Sequence, residues 1–103
     1  MAGNKKRVKK QIKKAKKQGL EHIYIDFFIP QSMLLKVTED GDKNACIYLD
    51  GFKWWYESHQ VGKRDASKFL CHMVCHIDVA VARAKSLKKQ GLVIDETFPS
   101  EDE

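Results

Sequence analysis

Three groups of residues in this sequence have types and spacings suited to chemistry. The first is the run NKKRVKKQIKKAKKQG at positions 4–19, where Lys5, Lys6, Arg7, Lys9, Lys10, Lys13, Lys14, Lys16 and Lys17 stand without a single acid. Such a run can neutralise several phosphates together, and counterion release then drives binding that weakens as salt rises. Contacts of this kind hold a protein on nucleic acid, RNA or DNA, without reading its sequence. An acidic protein is the alternative partner, and a solvated arm or nuclear-import signal is the bland reading. Val8, Ile12 and Ala15, the apolar residues among the lysines, make too small a stripe for burial in a lipid interface, so a membrane partner is not expected.

The second group is Phe52-Lys53-Trp54-Trp55-Tyr56. On a strand these rings alternate between faces, so about half must pack in a core. Trp54 is expected to be buried. Tyr48, Lys53 and Trp55 are the candidate partner-binding residues on the opposite face, where exposed rings beside a lysine stack bases or anchor a protein.

The third group is Cys71-His72-Met73-Val74-Cys75-His76. On a helix Cys71 and Cys75 share one stripe and His72 and His76 the next, each pair four residues apart. A structural zinc site needs four convergent ligands, and these two pairs diverge. Small buried thiols and flanking histidines are therefore expected, with no metal and no cofactor. Cys71 beside His72 resembles a nucleophile and its base only on paper, because adjacent helical residues point about 100° apart. The chain also lacks a glycine-rich phosphate loop and a Gly-x-Ser-x-Gly elbow. A non-enzyme is expected.

The elements that position these groups follow from composition and pattern. The chain has 103 residues, 43% of them hydrophobic, enough for one domain with a modest core. Its net charge of +5 is unevenly spread. Residues 1–20 hold nine basic and no acidic residues, 95–103 hold five acids and no base, and 21–94 are nearly balanced. That divides the chain into a basic N-terminal helix or arm (1–20), a single α+β domain (21–94) and an acidic tail (95–103). The tail is expected to be able to dock on the lysine arm and compete with other anions. Three cysteines give an odd count without disulfide density, and no apolar stretch follows the basic start, so a cytoplasmic protein is expected.

The basic run reads as a helix capped by Asn4 and ended by Gly19. Lys5–Lys9, Lys6–Lys10, Lys9–Lys13, Lys10–Lys14 and Lys13–Lys17 repel at i,i+4, each pair costing about 0.2–0.5 kcal/mol. A short helix is already marginal in water, so this one is expected to fray until an anion neutralises it. Alternation predicts strands at 22–29, 32–38, 45–49 and 52–56, the last two joined by an Asp50-Gly51 hairpin that sets Leu49 opposite Phe52 and Ile47 opposite Trp54. A long helix is predicted over 64–89, with a seam of Ala66, Leu70, Met73, Ile77, Ala80, Ala84 and Leu87. Cys75, Val79, Ala82 and Ser86 form a second stripe on that helix, to be covered by the leader or by a second copy, which makes a homodimer an expectation. Leu92–Ile94 suggests a short edge strand. The fold class is α+β: a Lys-rich N-terminal helix, an antiparallel sheet of three or four strands, and a long C-terminal helix packed on one sheet face.

This order of helix, three strands and helix, with the Asp50-Gly51 hairpin, basic Gly62-Lys63-Arg64 and Ala66 two residues on, resembles the double-stranded-RNA-binding domain. The resemblance implies phosphate contacts from Lys63, Arg64 and Lys68 at the start of the last helix. This chain departs from that pattern in its lysine-rich first helix and in Trp54–His59, where the family carries glycines. The expected function is that of a small non-enzymatic nucleic-acid-binding protein using the Lys-rich helix, helped by Lys63 and Arg64. The alternative is a protein-binding modulator, an inhibitor or adaptor, acting through the aromatic sheet face or a helix face.

Overall fold

The computed structural model describes residues 3–30, 32–33, 46–57 and 68–101. Along them run α1 (Asn4–Lys17), β1 (His22–Pro30), β2 (Cys46–Leu49), β3 (Phe52–Glu57), β4 (Lys68–His76), α2 (Ile77–Lys89) and β5 (Ile94–Ser100). The strands form one sheet in the order β2-β3-β4-β1-β5, every neighbouring pair antiparallel. The α+β class holds, with five strands where three or four are predicted. No helix among the described residues is long and apolar enough to cross a membrane.

Side-chain alternation builds the core. Ile23, Ile25, Phe27 and Ile29 of β1 are fully buried, together with Ile47 and Trp54 of the hairpin. Phe27 meets Trp54 edge to face at 4.9 Å, a geometry aromatic pairs prefer. The hairpin has the expected register, Leu49 opposite Phe52 and Ile47 opposite Trp54. Its turn places Asp50 at φ +53° and Gly51 at φ +84°, the two positive angles that an Asp-Gly type I′ turn supplies.

The predicted helix over 64–89 is corrected. Residues 68–76 are a strand that pairs with β1 along nine positions, from His22–His76 to Pro30–Lys68. Phe69, Cys71, Met73 and Cys75 share the face of Ile29, Phe27, Ile25 and Ile23, their partners in that register. Leu70, His72, Val74 and His76 occupy the other face. A segment apolar on both sides satisfies helical and strand periodicity alike, and here the long partner strand decides. The chain then enters α2 without a loop. His76 is extended, and its Nδ1 accepts a hydrogen bond from the Asp78 N–H at 3.0 Å, capping the helix. Ala80, Ala84 and Leu87 of the expected seam are buried. The expected second stripe dissolves: Cys75 belongs to β4, Val79 and Ala82 are exposed, and the Ser86 hydroxyl donates to the Leu49 carbonyl at 3.4 Å. With 68–76 a strand, the helix–three strands–helix order that carried the resemblance to the double-stranded-RNA-binding domain no longer applies. Lys63, Arg64 and Ala66 lie outside the described residues, as does the predicted 32–38 strand apart from Ser32 and Met33.

α1 is a formed helix packed on α2 and β5, not a frayed arm. Val8 and Ala15 are fully buried and Ile12 packs against the same core, so tertiary packing supplies what intrinsic helicity lacks. Gly3 takes the capping position with no side-chain bond, which leaves Asn4 another task. Its Nδ2 donates to the Leu92 carbonyl at 2.9 Å, and its Oδ1 accepts from the Ile94 N–H at 3.0 Å. The amide thus imitates a neighbouring strand. Arg7 donates to the carbonyls of Ile94 and Asp95, the latter at 2.7 Å.

Residues 95–100 are accordingly the body of β5 and not a tail. A bulge lies in its pairing, because Ile25 faces Thr97 while Phe27 faces Ile94. The Asp26 carboxylate fills the gap, accepting the Glu96 N–H at 2.7 Å and the Tyr24 hydroxyl at 2.9 Å. Both helices end in the same pentapeptide, KKQGL, at 16–20 and 88–92. In each the glycine has positive φ, and the following leucine N–H returns to the carbonyl five residues back, Leu20 to Ala15 at 2.8 Å and Leu92 to Leu87 at 2.9 Å. That bond is the Schellman closure.

Asn4→Ala leaves a buried N–H and a buried carbonyl without partners, so the folding free energy is expected to fall by about 2–4 kcal/mol. Lys10→Ala, on the exposed side of the same helix, is expected to change it by less than about 0.5 kcal/mol. Urea unfolding of the two variants checks this, and equal midpoints would contradict the anchoring role of Asn4.

Candidate nucleic-acid interface

Because Asn4, Val8 and Ala15 point inward, Lys5, Lys6, Lys9, Lys10, Lys13, Lys14, Lys16 and Lys17 are all exposed. At 1.5 Å per residue they are spread over about 21 Å of helix. α2 adds exposed Lys85, Lys88 and Lys89 alongside. The two helices share one field: the Lys5 ammonium is pushed below its ordinary pKa by Lys9 first, and also by Lys85 and Lys88 from the neighbouring helix. Among the described residues no acidic side chain pairs with an α1 lysine. On the neighbouring helix, Lys89 pairs with Asp50 at 3.7 Å. The result is a ridge of like charge whose repulsion is relieved by an anion.

Arg7 departs from the expected phosphate set, since its guanidinium is half-buried and engaged with the β5 backbone. Lys85 and Lys88 are ridge members that the sequence reading missed. Lys88 lies in the KKQG run shared by the two helix ends and Lys85 one turn before it, but only the packing of α1 on α2 unites them with the α1 lysines.

The opposite sheet face brings together the other candidate residues. Tyr48 is the register partner of Lys53, and the Lys53 ammonium lies 4.5 Å from the centre of the Trp55 ring. Tyr48 is 61% exposed and Trp55 40%. Trp55 faces His72 across the β3–β4 pair. The His72 ring stacks with Tyr24 at 6.2 Å, and Tyr24 stacks with Phe98 at 4.7 Å and 18°. Trp55, His72, Tyr24 and Phe98 therefore form a row across four strands. Tyr24 and Phe98 were not expected there, because Phe98 sits in a segment whose composition reads as a tail.

Strand geometry separates the Cys/His group completely. Cys71 and Cys75 face the core, and His72 and His76 face away, so a thiol and its neighbouring imidazole lie on opposite sides of the sheet. Burial pushes the Cys71 thiol up to about 12 and the Cys75 thiol up to about 11, with Arg83 partly opposing the shift at Cys75. Thiols held neutral in this way are poor nucleophiles. Arg83 itself is buried, donates to the Lys53 carbonyl at 2.8 Å, and lies 5.0 Å from the ring centres of both Phe52 and Trp54. Desolvation lowers its pKa.

Alkylation of the native protein is expected to modify half-buried Cys46 at least tenfold faster than Cys71 and Cys75, which should react only after unfolding. Mass spectrometry of the alkylated peptides reads the order, and early labelling of Cys71 would contradict the inward face of β4. In comparisons with known proteins, the chain matches no family model, no curated protein and no solved structure.

Proposed function

We propose that this is a small non-enzymatic nucleic-acid-binding protein that holds phosphates on the α1–α2 lysine ridge. One observation carries the reading: two basic helices packed side by side, with Lys5 perturbed by lysines of both. Holding such charges together, with no acidic partner for an α1 lysine among the described residues, disfavours the free state. A polyanion removes that repulsion and gains the entropy of released counterions. Lys5, Lys9, Lys85 and Lys88 form the shared centre, and Lys6, Lys10, Lys13, Lys14, Lys16 and Lys17 extend it. An acidic protein would satisfy the same ridge, and a protein partner, unlike a nucleic acid, survives nuclease treatment of a lysate before pull-down.

The test is a titration of labelled RNA and DNA across a salt series. Affinity is expected to fall linearly in log–log form as salt rises. The triple reversal Lys5→Glu, Lys9→Glu and Lys88→Glu is expected to cost at least tenfold at low salt and to flatten the slope. Because it removes repulsion, the same variant should melt no lower than the parent. A flat salt response, or full affinity in a folded triple variant, would sink the proposal.

A further inference from the structure

We infer that the sheet face turned away from the helices stacks unpaired bases, so that the nucleic acid is single-stranded where it touches this face. The inference rests on the nucleic-acid reading above but concerns a different surface and different residues. The row Trp55, His72, Tyr24 and Phe98 crosses β3, β4, β1 and β5 with one diagonal step, because His72 is in register with Asp26 and reaches Tyr24 two residues along β1. At a strand spacing of about 4.8 Å it extends about 14 Å across the strands. Its middle members are half-buried and lean on each other, while its ends are open, with Trp55 40% and Phe98 41% exposed. Tyr24 covers one face of Phe98, and Phe98 lies on an edge strand, so its outer face is where a base extends the stack.

The exposed apolar chemistry of this surface is that of rings. Among the described residues, the large apolar side chains exposed on this face are all aromatic: Tyr48, Trp55 and Phe98. The aliphatic ones there, Leu70 and Val74, are half-buried. The cation beside this row is Lys53, whose ammonium sits against the Trp55 ring. Asp26, the acid within the row, is 4% exposed and spends both carboxylate oxygens on Glu96 and Tyr24. Flat rings beside a cation are what a base and its phosphate require, and ring–base stacking tolerates any base.

Binding of oligothymidylate and of a duplex of equal length to the full chain tests this. Trp55→Ala and Phe98→Ala are each expected to weaken single-strand binding about fivefold or more, with the salt slope and duplex affinity unchanged. Oligothymidylate should quench the fluorescence of Trp55, whereas buried Trp54 remains as background. Trp55→Phe keeps a ring, so it should keep most of the affinity and lose the quench. Alanine variants that bind the single strand as tightly as the parent, or a quench that survives Trp55→Phe, would overturn the inference. Ring variants without effect while salt dependence persists overturn this inference and spare the ridge. Ring effects with no salt dependence support it and overturn the ridge alone.

Discussion

The side-chain amide of Asn4 ties the helical layer to the sheet, and the other features of the molecule depend on that tie. It bonds two backbone groups where the chain enters β5, the Leu92 carbonyl and the Ile94 N–H. Arg7, one turn along, takes the carbonyls of Ile94 and Asp95. These bonds fix α1 over β5, and Val8, Ile12 and Ala15 then close the core beneath it. The tie and this packing together hold the lysines on one face of a seated helix.

Rigidity carries an electrostatic cost. Each like-charge pair on α1 opposes the helix by a few tenths of a kcal/mol, and α2 adds lysines from the side. Burial of three apolar side chains and a small set of buried hydrogen bonds outweighs these terms. The opposite face has the reverse character: little net charge, rings in contact, and its one central carboxylate turned inward. The sheet thus separates a surface rich in lysine from a surface rich in rings.

What could be read from the sequence was what local chemistry decides. Alternation in β1, the Asp50-Gly51 turn with its register, and the glycine endings of both helices all depend on neighbours within a few residues. The segment 68–76 was misread because it is apolar on both faces, and only pairing with β1 over nine positions selects a strand. Asn4 looked like a helix cap because its true partners lie about ninety positions away. The ring row was invisible for the same reason: Trp55, His72, Tyr24 and Phe98 meet only through the register of four strands. Among the candidate residues, the hairpin trio Tyr48, Lys53 and Trp55 was legible, and the contribution of α2 to the ridge was not.

The span of the Asn4 and Arg7 bonds bears on how the chain folds. Contacts between residues 87 to 90 positions apart incur the closure entropy of nearly the whole domain before they return any stability. High contact order of this kind slows folding. During synthesis the lysine segment emerges long before Leu92–Asp95, so it passes that interval as an unanchored cationic peptide beside the polyanionic ribosome. Asn4 and Arg7 therefore gain these partners only once β5 is in place, which joins the two ends of the described chain in one late-forming contact.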